Sequence, residues 1–223
     1  PTFARTERPS DRLNVVIGLT RKTLANLRLA IAGTVALAGD LVDAMDALFD
    51  ANVPRKWLAK SWESATIGTW FQGLLQRYDQ LRKWLNDGRP KGYWMTGFFN
   101  PGGFLTAMKQ EVSRQHAKDK WALDDVVMES RVTAPPKEIK EIKEEPKEGV
   151  YIYGLYLEGC SWDGKMNRLV DSDPKKLFVA LPVLYVTGVL AKDKETQNVF
   201  SCPTYKIKKR TGLNFIAQFD LRT

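Results

Sequence analysis

Cysteine and histidine are scarce in this 223-residue chain: only Cys160, Cys202 and His116 occur. Two cysteines far apart, with no CxxC spacing, exclude a disulfide-rich secreted scaffold and a cysteine-built metal site. The expected compartment is therefore reducing, and both thiols read as buried or half-buried strand residues. His116 lacks partners for a zinc site. Set among Arg114, Lys118 and Lys120, it reads as an exposed cation at a helix C-terminus. A Cys–His nucleophile would need a cysteine brought beside His116, and no local pattern favours that. Long apolar runs are missing as well. The longest, "LFVALPVLYVTGVLA" at 177–191, is shorter than the ~20 residues of a membrane helix, and it is β-branched and broken by Pro182 and Gly188. No signal-peptide pattern opens the sequence, and Pro1 stands where an initiator Met would. The expectation is a soluble piece of something longer.

Phosphate-binding chemistry is also absent from the sequence. Residues 92–112, "GYWMTGFFNPGGFLTAMKQEV", hold four glycines and five aromatics, but no GK[ST] follows the glycines. Asn100 is instead a good N-cap and Pro101 suits the first helical position. Phe104, Leu105, Met108 and Val112 then supply one apolar face, so the stretch predicts a helix start. Asp124 and Asp125 read as a loop before the strand-like "VVMESRVT" rather than as a catalytic carboxylate pair. No constellation for catalysis, cofactor or metal emerges.

What is present is a core-forming sequence, 43% hydrophobic and 11% aromatic, with a net charge of +8. That charge suits nucleic acid, an anionic surface or an acidic protein face alike. From Ser10, a good N-cap, Leu13, Val16, Ile17, Leu24, Leu27 and Ile31 recur at helical spacing, and "GDLVDAMDALFD" continues in the same mode, predicting a helical hairpin. After a turn at Asn52, Val53 and Pro54, a stripe of Ile67, Trp70, Phe71, Leu74, Leu75, Tyr78, Leu81 and Leu85 runs to Asp87 and Gly88. Such a stripe can hide its apolar face within its own bundle. "KEIKEIKEEPKE" then reads as a solvated linker with nothing to bury. Short β-rich runs follow it, "VYIYGLYLEG", "KLFVALPVLYVTGV", "NVFSCPTYKI" and "LNFIAQFDL", separated by turn-like segments. The fold class expected is α+β. A helical subdomain (1–132), a charged linker or loop (133–148) and a small antiparallel β-barrel (149–223) hanging on that linker make up the whole.

Three ordered stretches resemble the C-terminal region of dynein heavy chains. "WMTGFFNPGGFLTAMKQ" is similar to a family signature through Trp94, Gly97 to Phe99, Pro101 and Phe104 to Thr106. "GVYIYGLYLEGCSWD" matches a second at Gly149, Tyr151, Gly154, Leu155, Leu157, Glu158, Gly159, Trp162 and Asp163, and "CPTYKIKKRTGLNFI" a third. The likeness spans essentially all 223 residues and looks nearest to axonemal outer-arm heavy chains. Gly102 departs from the family pattern, where a Gln is expected, and the Lys/Glu-rich insert is longer than in the family.

The resemblance implies a non-enzymatic regulatory domain, helical first and then barrel-like, lying across the ATPase ring of the same heavy chain in a ciliary or flagellar axoneme. It implies no cofactor in this region, no membrane and no nucleic acid as partners, and further contacts with other axonemal dynein subunits. Candidate interface residues are Trp94, Phe98 and Phe99, for which core packing competes with an interdomain contact, and the basic cluster Lys206, Lys208, Lys209 and Arg210. That cluster also carries the rival reading: with Tyr205 and Phe215 on a barrel-like sheet it would bind single-stranded nucleic acid or another polyanion. The bland reading of the same residues is a solvated hairpin turn.

Overall fold

The computed structural model describes residues 9–37, 39–135, 137–208 and 214–223. The protein divides into two compact units, one running to Asn86 and the other from Asp87 to Thr223.

Helix formers dominate the first unit. Helix α1 (Pro9–Ile31) buries Leu13, Val16 and Leu27 on one face. Thr20 joins that face because its hydroxyl donates to the Val16 carbonyl at 2.9 Å, leaving no orphan polar atom. Helix α2 (Asp40–Phe49) packs against α1, giving the hairpin expected from the spacing. The turn at Asn52 to Pro54 leads into the single turn α3 (Arg55–Leu58), which delivers Trp57, and α4 (Ile67–Asp87) closes the unit.

The core of this unit is aromatic. Trp57 and Trp70 are fully buried with ring centroids 5.1 Å apart, and Trp62 stacks on Trp70 at 5.3 Å. Buried indoles need hydrogen-bond acceptors. Trp57 Nε1 donates to Thr23 Oγ1 at 3.2 Å and Trp70 Nε1 to Ser61 Oγ at 2.9 Å. The Arg77 guanidinium lies 3.7 Å from the Trp62 ring centre and donates to the Gly73 carbonyl at 3.0 Å. Burial lowers its pKa to about 9, so it remains a cation at neutral pH.

The α4 stripe departs from expectation. Trp70 and Leu74 are buried, but Leu75, Tyr78 and Leu85 are 62%, 47% and 74% exposed. The aromatic partners Trp57 and Trp62 meet α4 in its N-terminal half, at Trp70 and Phe71. Among the described residues the C-terminal half of the stripe is left largely uncovered at those three positions.

The second unit opens with the short strand β1 (Tyr93–Trp94), followed by α5 (Pro101–Gln115) and β2 (Val126–Val132). Next come β3 (Val150–Tyr153), β4 (Tyr156–Glu158), β5 (Cys160–Asp163), β6 (Arg168–Asp171), β7 (Phe178–Ala180), β8 (Leu184–Leu190), β9 (Val199–Tyr205) and β10 (Phe215–Arg222). One four-stranded sheet runs β1-β3-β8-β2, a second runs β10-β9-β4-β7, and β5 and β6 form a ribbon. Among the described residues, all pairings are antiparallel except β1 with β3. The class is thus α+β, as expected, but among those residues the ladders do not close into a barrel. The two larger sheets meet where Ser130 Oγ of β2 donates to the Asp220 carbonyl of β10 at 2.8 Å.

The expected division at residue 132 also gives way. β2 pairs along its whole length with β8, from Val126↔Leu190 to Val132↔Leu184. A Cβ on Gly188 of β8 would fall 2.7 Å from Val126 Cγ1 and 3.3 Å from Val112 Cγ1, so α5 and β2 both close on β8 at this glycine. Helix α5 therefore belongs with the sheets.

The charged linker is likewise anchored rather than merely solvated. Ile142 is 6% exposed and Ile139 Cδ1 lies against Gly92. Glu138 and Glu141 form a reciprocal capping box around the intervening 3-10 turn. Two isoleucines three apart suffice to dock one face of an otherwise charged run, so the sheets do not hang on a free tether.

Candidate functional site

The glycine-rich stretch is a helix start, as its residue types predict. Asn100 Oδ1 accepts from Gly103 N at 2.9 Å and Pro101 is the first helical residue. A Cβ at Gly103 would sit 2.6 Å from Asn100 Nδ2, so glycine there leaves room for the cap. Phe104, Leu105, Met108 and Val112 are all buried. The glycines serve the fold.

The candidate aromatics do not share one fate. Phe98 is 6% exposed and stacks on Phe104 at 4.6 Å, beside Tyr93 at 4.7 Å from the same ring. It is a core residue. Trp94 and Phe99 are half-buried. Trp94 lies over Gly154, where a Cβ would meet its indole at 2.3 Å.

One junction joins two stretches that the sequence keeps far apart. Thr96 Oγ1 donates to the Gly154 carbonyl at 2.6 Å and approaches the Lys206 carbonyl at 3.3 Å. The aromatic segment and the start of the basic cluster therefore meet. Lys206 is half-buried and its N–H donates to Asn214 O at 2.8 Å. Lys208 is exposed, with Nζ 5.7 Å from the Tyr156 ring centre. Lys209 and Arg210 lie outside the described residues. Tyr205 is only 6% exposed and packs edge-on against Phe178 and Phe215, so it offers no open face for base stacking. Of the two aromatics in the nucleic-acid reading, only Phe215, 42% exposed, keeps an accessible ring.

Two further charged groups link segments of the second unit, Arg89, which the sequence leaves unassigned, and His116. Arg89 pairs with Glu111 of α5 at 2.9 Å and with Glu145 at 3.4 Å. His116 departs from the free helix-end cation expected of it. Its ring stacks on Trp121 at 4.0 Å, with Nδ1 3.0 Å from Asp119 and Nε2 2.8 Å from Glu148. Those two carboxylates, Asp119 foremost, raise its pKa above the ordinary imidazole value.

Where β2, β9 and β10 adjoin, Met128, Ser130, Lys194, Ser201, Gln218, Phe219 and Asp220 line a groove of about 230 Å³. Its ion pair, Lys194 Nζ to Asp220 at 2.5 Å, is internal and holds the Asp220 carboxyl below the usual range. The groove falls below the size of a typical small-molecule site. Among the described residues no cluster of His, Cys, Asp and Glu is arranged to hold a metal ion, and no helix is long and apolar enough to cross a membrane.

Among the described residues, Arg89, His116 and Lys194 are paired with carboxylates within the second unit, and the first unit exposes apolar residues of α4. The family model for the C-terminal domain of the dynein heavy chain matches residues 2–223, and the protein belongs to that family. It is 64% identical over 214 residues to the dynein gamma chain of the flagellar outer arm of Chlamydomonas reinhardtii, covering 96% of the present sequence and 5% of that protein. It is 47% identical over 213 residues to mouse (Mus musculus) dynein axonemal heavy chain 8, covering 96% and 4%. To the ciliary dynein beta chain of Heliocidaris crassispina it is 34% identical over 215 residues, covering 96% and 5%. The 223 residues thus span about one-twentieth of the length of the curated relatives they match.

Proposed function

We propose that this protein is the non-catalytic, C-terminal regulatory domain of an axonemal dynein heavy chain of the outer-arm type, acting in cilia or flagella. It packs on the ATPase ring of the same heavy chain and modulates ATP-driven motility on microtubules, with other axonemal dynein subunits as further contacts. The observation that carries this reading is the row of exposed apolar residues on α4, Leu75, Tyr78 and Leu85. Contiguous apolar surface of this kind marks a protein–protein contact, and these 223 residues correspond to only 5% of the flagellar relative's length.

A domain that covers this row in one ring conformation more than in another shifts the populations the nucleotide cycle visits. A bias of only ~1.4 kcal/mol changes the ratio about tenfold. Velocity, stall force or run length then changes with the chemistry left intact. The sequence holds no lysine-bearing phosphate loop of its own, which supports a role separate from hydrolysis.

The test replaces Leu75, Tyr78 and Leu85 by serine in the complete heavy chain. Single-molecule motility and ATP turnover are then compared with the parent motor. A changed velocity or stall force with nucleotide binding retained is the expected result. Unaltered motility sinks the regulatory reading, and loss of ATP binding assigns the row to ring folding instead.

A further inference from the structure

The helical hairpin separates its charges by sign. From Arg12 to Gly39 the chain carries Arg12, Arg21, Lys22 and Arg28 and no acidic residue, whereas α2 with its C-cap carries Asp40, Asp43, Asp46 and Asp50 and no basic one. Asp40 pairs with Lys56. Arg21, Lys22, Arg28, Asp43, Asp46 and Asp50 are exposed, and none of them takes part in an ion pair among the described residues. Two of these carboxylates are poorly placed for their own helix. Asp46 in the last turn of α2 and Asp50 at its C-cap stand at the negative end of the macrodipole, and no basic residue lies in that turn. A cation from outside the hairpin would relieve that repulsion.

The spacing of opposite charges on the two helices matches. Arg21 and Arg28 are seven residues apart on α1, as are Asp43 and Asp50 at α2. At ~1.5 Å per residue, two helical turns set the members of each pair about 10 Å apart on one face. Apolar side chains accompany both pairs. Leu24 and Ile31 share the α1 stripe of Arg21 and Arg28, three or four residues from them, at 36% and 77% exposure. Phe49 stands beside Asp50 and one turn after Asp46, at 91%. Phe49 and Ile31 are the two most exposed large apolar side chains among the described residues. Exposed ion pairs contribute little by themselves. The charges therefore select the partner and set the register, and covering Phe49 and Ile31 supplies the burial.

We propose that this hairpin is a self-association surface, on which the basic face of α1 in one copy of the domain docks against the acidic face of α2 in a second copy. Each copy bears both faces, so a two-fold arrangement makes the contact twice. Arg21 and Arg28 of each copy meet Asp43 and Asp50 of the other, and Phe49 and Ile31 are covered on both sides. The surface is separate from the α4 row. It goes beyond the ring-packing reading and stands or falls without it.

The experiment is sedimentation equilibrium of the 223-residue protein over a series of protein and salt concentrations. The expected result is a monomer–dimer equilibrium that shifts toward monomer as salt rises. Arg21→Glu with Arg28→Glu, and separately Asp43→Lys with Asp50→Lys, should each lose the dimer in the range where the parent forms it. Circular dichroism should stay unchanged, since all four positions are exposed. An equimolar mixture of the two variants should regain a dimer, because both contacts of the mixed pair again join opposite charges. Replacing Leu75, Tyr78 and Leu85 by serine should leave the dimer as in the parent. A parent that is monomeric at every concentration, a dimer indifferent to the charge reversals, a mixture that stays monomeric, or a dimer lost in the α4 serine variant would each overturn the proposal. Hydrogen exchange of the parent decides the matter where a variant fails to fold. Protection of residues 17–31 and 40–50 should rise with protein concentration, and a rise confined to other segments rejects the assignment.

Discussion

The helical unit and the sheet unit solve the burial problem differently. The helical unit concentrates its core in a few indoles around α4 and leaves Ile31, Phe49, Leu75 and Leu85 largely exposed, Phe49 at 91%. The sheet unit buries the inward residues of its strands almost completely: Val126, Ile152, Leu157, Leu184 and Val186 are all 1% exposed or less. Its charged loops are also tied down, through Arg89, His116 and the isoleucines of the 137–148 run. The sheet unit also exposes Leu177 and Phe200, at 58% each, but on single positions. The helical unit leaves apolar residues uncovered on several of its helices, at Ile31, Phe49, Leu75 and Leu85.

The comparison breaks hardest if the protein is cut at the wrong place. Truncation after residue 148 strips β2 of β8 and α5 of its sheet, so residues 87–148 should lose protease resistance and native circular dichroism. A fragment beginning at Asp87 should retain both. If the 1–148 fragment keeps α5 and β2 protected in hydrogen exchange, the two-unit division is wrong.

Within the helical unit, Trp70→Ala should destabilise by about 3–5 kcal/mol, since it empties a fully buried indole site. Leu85→Ala, at an exposed position of the same helix, should stay within about 0.5 kcal/mol. Equal losses for the two in urea titrations would mean that the α4 stripe is covered throughout its length after all. At the sheet unit's entrance, Asn100→Ala should cost about 1 kcal/mol through loss of the α5 cap, read as a lower denaturation midpoint with an unchanged slope.

The smallest effect concerns pH. The folded-state pKa of His116 is raised above its unfolded value by Asp119 and Glu148. Its stabilising contribution is therefore fully present below about pH 6.5, the unfolded value, and is lost as pH rises through the higher folded value. Melting temperature should fall slightly across that window in the parent protein, and the slope should flatten in His116→Gln. An unchanged slope would show that the ring's two carboxylate contacts carry no net charge coupling.

Local physics was legible in the sequence before any fold was known. Asn100, Pro101 and the buried face from Phe104 to Val112 follow from capping geometry and a 3.6-residue period, and every β-rich run became one or two strands. The site was less legible. Phe98 and Trp94 lie in one aromatic stretch, yet Phe98 went to the core and Trp94 to a half-buried seat over Gly154, because a short β1 and a 3-10 turn replace the regular period there. Ile139 and Ile142 were masked by the surrounding lysines and glutamates, since composition averages over a run while docking needs only one of its faces.

By itself, the sequence determined the α+β class, the start of α5, the strands of the four β-rich runs and of 126–132, and the family, because each rests on neighbours within a few residues or on ordered motifs; the short β1 and the β5–β6 ribbon lay outside those runs. Only the tertiary structure decided that β2 and α5 belong with the sheets and that Thr96 meets Gly154 and Lys206. These are contacts between segments tens of residues apart, set by strand register. A register error of one residue would send each of those strand side chains to the opposite face.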